Sequence, residues 1–201
     1  VIRRPNFVAL FTTLAVSLVG LVGLAGCGGS VVSDTLREPN TAPETLSVTL
    51  GGLDGDRFRN AQVFSGFGCT GDNRSPAISW SNAPAGTQSF AIIVHDPDAP
   101  TGVGFFHWIA LDLPPSTTSL AENAAAEGLP ASVVQGYTDF GTNSYGGPCP
   151  PPGPGHRYEV TVYALDVPSL GIPASSTGAL ARFVIRQHTL ALGRAVAHYA
   201  R

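Results

Sequence analysis

The run Ser89-Phe90-Ala91-Ile92-Ile93-Val94-His95 is apolar throughout its middle and rich in β-branched residues. At that length it predicts a strand covered on both faces rather than a helix. Phe105 to Leu111 and Tyr158 to Leu165 are further strand candidates, the second with Tyr158, Val160, Val162 and Ala164 on one face. Leu46 to Leu50 and Ala77 to Trp80 predict shorter strands. Between Pro114 and Gly147 the strand signal is confined to Val133 to Tyr137, so this stretch reads mainly as loops around a binding mouth. Pro- and Gly-rich connections join these segments, which fits a mainly β sandwich or barrel better than a series of βαβ units. The end of the chain reads differently. From Gly178 to Arg201, Leu180, Phe183, Val184, Leu190, Ala191 and Tyr199 recur at mostly helical spacing, with Ser176 or Thr177 available as N-cap. A C-terminal helix packed on the sandwich is therefore expected, with Arg182, Arg186 and Arg194 facing outward.

The front of the chain carries a pattern of another kind. Arg3 and Arg4 precede an apolar stretch from Phe7 to Val22, and Leu24-Ala25-Gly26-Cys27 places small residues before a modifiable thiol. Residues 1–26 read as a lipoprotein signal peptide, Cys27 as the lipidated residue, and residues 27–45, rich in Gly, Ser, Pro and Thr, as a flexible tether. An uncleaved anchor and an ordinary signal peptide are the competing readings, but a spanning helix needs ~20 apolar residues and this stretch is shorter. Val1 in place of Met fits a non-standard start codon of the bacterial kind. The expected location is the bacterial cell membrane, lipid-anchored on the extracytoplasmic side, since two acyl chains hold where one is marginal.

Residues 46–201 then form one domain. With 43% hydrophobic and 12% charged residues the chain can build a core. Its formal net charge of -3, about -5 once Arg3 and Arg4 are removed, excludes the basic face that nucleic acid requires. It also gives the domain no attraction of its own to anionic lipid. Three cysteines divide into Cys27 for the lipid and Cys69 with Cys149 as a pair suited to an oxidising compartment.

Two stretches hold the chemistry: Asp96-Pro97-Asp98-Ala99-Pro100 with His107-Trp108 beyond it, and Gly146 to Tyr158. Strand alternation puts His107 with Phe105, Ile109 and Leu111, opposite Phe106 and Trp108, so its ring projects among apolar groups. A buried imidazole needs partners for both nitrogens. Asp96 or Asp98 is the expected acceptor for one, leaving the other for a ligand oxygen. A histidine merely satisfied within the core is the alternative. Pro148 to Gly155 is built of prolines and glycines around Cys149. Pro fixes φ and Gly lets amides approach closely, so the loop can present donors to an anion at a fixed place. The same composition also suits an exposed polyproline segment. His156-Arg157-Tyr158, entering a strand, favours a pocket wall. His95, His188 and His198 have no evident partner and read as structural or exposed. There is no G-x-S-x-G elbow, H-E-x-x-H pair or P-loop.

These stretches, together with Gly66 to Trp80 (GFGCTGDNRSPAISW), Pro84 to Ser89 and Tyr163-Ala164-Leu165-Asp166, resemble the phosphatidylethanolamine-binding protein family, in particular its bacterial Raf kinase inhibitor-like branch. The likeness runs from about residue 46 to the C-terminus. It implies a β-sandwich with a C-terminal helix and a ligand site made by Asp96, Asp98, Pro100, His107, Gly147, Pro150, Pro151, His156 and Tyr158. In that site a phosphate-type oxyanion lies between the two imidazoles and the loop amides, with the Asp pair in support. In the family the turn Asp72-Asn73-Arg74-Ser75 orders the neighbouring loop, and Arg74 is a candidate partner for a pocket carboxylate, with a solvated turn as the alternative. Ala99-Pro100 is a candidate cis bond in a tight turn. A Cys69–Cys149 bridge would pin the pocket rim if the two turns adjoin; two inert core thiols are the alternative. Between Pro150 and His156 the chain is about one residue shorter than the eukaryotic form.

The implied function is that of a membrane-tethered binding protein for a small anionic ligand or phospholipid head group, with an envelope protein, such as a hydrolase that it modulates, as a further partner. No catalytic residue, metal or cofactor is expected, and no nucleic acid partner. A hydrolase or metal-dependent enzyme using the Asp/His set, and an adaptor with a vestigial pocket, are the alternatives. About three charge-assisted hydrogen bonds at ~1.5–3 kcal/mol each, less association costs, imply micromolar to millimolar affinity that tightens below neutral pH.

Overall fold

The computed structural model describes residues 46–201. The signal peptide, Cys27 and tether expected in residues 1–45 lie outside the described residues. The elements in chain order are β1 (Ser47–Gly51), β2 (Ser65–Gly66), β3 (Cys69–Thr70), β4 (Ala77–Ser81), β5 (Ser89–Asp96), β6 (Phe105–Leu113), β7 (Ser119–Leu120), β8 (Val134–Gln135), β9 (His156–Leu165), α1 (Gly178–His188) and β10 (Thr189–Tyr199).

An antiparallel five-stranded sheet, ordered β10-β9-β5-β6-β8, faces a three-stranded sheet ordered β1-β4-β7, and β2 pairs with β3 in a separate hairpin. The apolar run of β5 is buried along its whole length, as its composition predicts. Phe90, Ile92 and Val94 point into the space between the sheets, where Ile78, Trp80, Trp108, Val160 and Val162 meet them. Ala91 and Ile93 point the other way, onto Ile109, Leu111, Tyr163 and the α1 residues Ala181 and Ile185. Thr177 caps α1, its hydroxyl accepting from the Leu180 amide at 3.4 Å.

The C-terminal helix is half as long as the spacing predicts. It stops at His188, and Thr189–Tyr199 turns back as β10 along the outer edge of β9, with Tyr199 opposite His156 and Gly193 opposite Val162. Ala- and Leu-rich sequence permits a helix here, but β9 would otherwise expose its free ladder edge, and pairing overrides propensity. In the strand Ala191, Gly193 and Ala197 are buried, and Gly193 in mid-segment was the one local departure from a helical pattern.

Small residues on β10 let other chain segments close over it. The Leu46 amide donates to the Leu192 carbonyl at 3.2 Å, and a Cβ on Gly193 would run into the Leu46 carbonyl oxygen. Gly193→Ala is expected to destabilise the domain by about 1–3 kcal/mol through overpacking. The measurement is the urea midpoint, which should fall while the slope stays constant.

Candidate ligand pocket

β5 ends at Asp96, β6 begins at Phe105 and β9 begins at His156, so these neighbouring antiparallel strands bring three chemistry-bearing segments to one end of the large sheet. The register sets His95 opposite Glu159. It carries Asp96 onto the same face as Tyr158 and Val160.

His107 reaches that face by a different route from the one alternation predicts. Val94 pairs with Trp108 and His95 with Phe106, which leaves His107 as the extra residue of a β-bulge. Ile109 and Leu111 consequently share the helix-side face with Phe106, while His107 is turned to the other side. A bulge re-aims a side chain in this way because two residues on one strand oppose one on its partner. The backbone at the bulge is satisfied by a loop: Phe106 donates to Asp139 Oδ2 at 2.7 Å, and the Gly146 amide donates to the His107 carbonyl at 2.9 Å.

The imidazoles have separate acceptors. His107 Nδ1 lies 2.7 Å from the Gly146 carbonyl oxygen, and His156 Nδ1 lies 2.7 Å from Asp96 Oδ2. Because both partners only accept, Nδ1 carries the proton in each ring. The acceptor for His107 is thus a backbone carbonyl and not Asp96 or Asp98. Asp96, 3% exposed, also accepts the Asp98 amide at Oδ1, closing a turn onto itself. Burial, against the help of the Gly146 carbonyl, pulls the His107 pKa down to about 4. Tyr158 is 1% exposed, its hydroxyl has no hydrogen-bond partner, and burial raises its pKa.

A cavity of about 150 Å³ is lined by seven of the nine residues named from the resemblance: Asp96, Pro100, His107, Pro150, Pro151, His156 and Tyr158. The other two, Asp98 and Gly147, act from outside. Asp98 turns to Arg157, which holds it by Nε at 2.9 Å and Nη2 at 2.7 Å, and this guanidinium draws its pKa down to about 2. Gly147 gives its amide to Asn73 Oδ1 at 2.7 Å, and any side chain on it would collide with the Gln62 carbonyl. The amides of Gly146 and Gly153 are likewise donated internally, to His107 and Arg201, and the prolines have none. These three amides are therefore spent on the fold and are not free donors.

The polar turn before Pro76 does order this loop: Asn73, at φ +55°, bridges the Tyr145 carbonyl and the Gly147 amide. Arg74 instead faces Glu122 at 3.8 Å. Cys69 and Cys149 form a disulfide with Cα atoms 6.1 Å apart, joining the β2–β3 hairpin to the proline loop. All peptide bonds among the described residues are trans, Ala99-Pro100 included. His188 and His198 pair with Asp166 and Asp56, both at 3.0 Å, and His95 Nε2 with the Val103 carbonyl at 3.1 Å. Among the described residues no three His, Cys, Asp or Glu side chains gather as a metal site. The lining residues that spacing did not reveal are chiefly aromatic: Phe67, Phe105 and Phe140. A phenylalanine between two glycines, as Phe67 is, was the one available signal.

Comparison with known proteins agrees with this fold. YbhB of Escherichia coli is 42% identical over 140 residues, covering 69% of this chain and 89% of that protein. A Mycobacterium tuberculosis protein named "Putative lipoprotein LppC" is 34% identical over 193 residues, covering 88% of this chain and 90% of its own, so the alignment extends into the segment before residue 46. The crystal structure of Escherichia coli YbcL, described as a new member of the mammalian PEBP family, superposes with a TM-score of 0.75 at 38% identity, over 78% of this chain and 99% of that one. Residues 54–200 match the family described as phosphatidylethanolamine-binding protein, and the chain belongs to that family.

Proposed function

We propose that this chain is a membrane-tethered, extracytoplasmic binding protein whose pocket holds a phosphate-type group, free or as part of a phospholipid head group. Members of its family are binding proteins rather than enzymes. The observation that carries the reading is the convergence of His107, His156, Asp96 and Tyr158 on one small, stiff-walled cavity. At about 150 Å³ it suits a group of a few heavy atoms, well below the ~300–1,000 Å³ of drug-sized sites.

Protons make this an anion site. No Lys or Arg lines the cavity. With Nδ1 of each ring committed, Nε2 is the nitrogen left for a ligand, and on a neutral ring Nε2 only accepts. At neutral pH His107 is neutral, so the bound oxygen must bring a proton or the ring must gain one. Either way binding takes up a proton, and affinity rises as pH falls. A phosphate monoester itself titrates near pH ~6, and inorganic phosphate nearer neutrality.

The lipid anchor is supported by the Leu24 to Cys27 sequence and by the name of the mycobacterial relative. Among the described residues no helix is long and apolar enough to cross a membrane.

Calorimetric titration with inorganic phosphate is expected to show at least tenfold tighter binding at pH 5.5 than at pH 8, and His107→Asn and His156→Asn are each expected to weaken it about tenfold, ~1.4 kcal/mol. Equal affinity at both pH values, or full binding by both variants, overturns the reading. Glycerophosphoethanolamine, a diester without the titrating phosphate proton, should show a shallower pH dependence, which separates a head group from free phosphate.

The depressed pKa of His107 also links to stability. Its folded pKa of about 4 lies below the ~6.5 of an unfolded histidine, so between these values the unfolded state binds more protons. The stability from the neutral ring is complete above pH ~6.5 and is lost as pH falls toward 4, by about 3 kcal/mol in all. Urea midpoints measured from pH 7 to pH 4 should fall less steeply in His107→Asn than in the parent chain.

Growth of a bacterial expression host on labelled palmitate should label the parent chain and leave Cys27→Ala unlabelled and absent from the membrane fraction.

A further inference from the structure

Beyond its polar floor the cavity is walled by rings. Phe140 packs edge-on against both His107, at 5.3 Å and 71°, and Phe105, at 4.9 Å and 81°. Phe67 lies nearly parallel to Phe140, at 5.9 Å and 15°. One aromatic surface thus runs from the imidazole on the floor to Phe67 at the mouth.

Phe67 is held there against two unfavourable terms. It is 70% exposed, so most of its ring gains nothing from burial in the fold. It also has φ +52°, and Gly68 after it has φ +84°. Positive φ at both residues of a two-residue hairpin turn is the demand of type I′ geometry, which favours Asn, Asp or Gly at the first position. A bulky residue there is strained. The turn is nonetheless clamped. The Cys69–Cys149 disulfide ties the hairpin to the proline loop, and Arg201 Nη1 donates to the Phe67 carbonyl at 2.9 Å. An exposed ring fixed in this way at a pocket mouth is preorganised for a planar partner.

We infer that the pocket selects ligands in which a flat aromatic group adjoins the acid, with the acid at His107 and His156 and the ring stacked on Phe67. This rests on the phosphate-type reading given above and adds the chemical class of the ligand's other half. A cavity of about 150 Å³ is the size that encloses a single benzene ring. A phosphoryl group on the floor therefore leaves an attached ring partly at the mouth, where Phe67 stands. Aromatic faces gain from offset or edge contact beyond the area they bury, which an alkyl group of similar size does not.

The test is calorimetric titration of the full chain in mild detergent at pH 6 with inorganic phosphate, ethyl phosphate and phenyl phosphate. Phenyl phosphate is expected to bind at least tenfold more tightly than ethyl phosphate. Phe67→Asn, which suits the turn and so keeps the hairpin, should bring the phenyl-to-ethyl ratio close to one, and Phe67→Tyr should retain it. Phosphate binding with no phenyl preference, or a preference unchanged in Phe67→Asn, overturns this inference and leaves the phosphate reading standing. No binding of any of the three overturns both.

Discussion

The antiparallel register that sets His95 of β5 opposite Glu159 of β9 is the constraint on which the pocket depends. A slip of one residue would turn His156, Tyr158 and the apolar set behind them to the wrong face of the sheet. That register is held by burial on both sides of β5, with Ile92 and Val94 in one apolar layer and Ala91 and Ile93 in the other. The irregularities fall in the pairing of β5 with β6, so the β5–β9 pairing stays regular while the bulge in β6 re-aims His107. One strand pair keeps the frame and the adjacent pair makes the exception.

Within that frame most of the polar groups are engaged before any ligand arrives. Asp96 is occupied by His156 and by the Asp98 amide, Asp98 by Arg157, and Gly147 by Asn73. These contacts set the ring tautomers and stiffen the walls, and the disulfide closes the rim. Little conformational freedom remains to be lost on binding. The same engagement changes the chemistry expected of the loop, because the Gly146, Gly147 and Gly153 amides serve the fold and side chains carry more of the site's hydrogen-bonding.

Much of the fold was legible along the chain. The β5 run identifies itself because burial on both faces leaves an unbroken apolar stretch, and Tyr158, Val160, Val162 and Ala164 mark one face of β9 by their alternation, although the intervening Thr161 and Tyr163 are buried too. The C-terminal segment did not, since Ala and Leu favour a helix locally and the strand was decided by the unpaired edge of β9. Of the pocket, Asp96, His107 and His156 stand out by residue type beside stiff backbone. Phe105 and Phe140 look like ordinary core aromatics until the fold brings them to the cavity.

The sequence by itself determined a mainly β fold and the stiff, Pro- and Gly-rich segments beside which Asp96, Asp98, His107 and His156 stand, because hydrophobic periodicity and local backbone stiffness are written in neighbouring residues, while the family and the pocket's residue set came from the resemblance of its motifs. Only the tertiary structure decided which acceptor each imidazole meets, which face His107 takes, and that the end of the chain returns as β10. Those outcomes depend on a bulge, a carbonyl 39 residues away and a strand edge needing a partner, all of them long-range effects that no local pattern encodes.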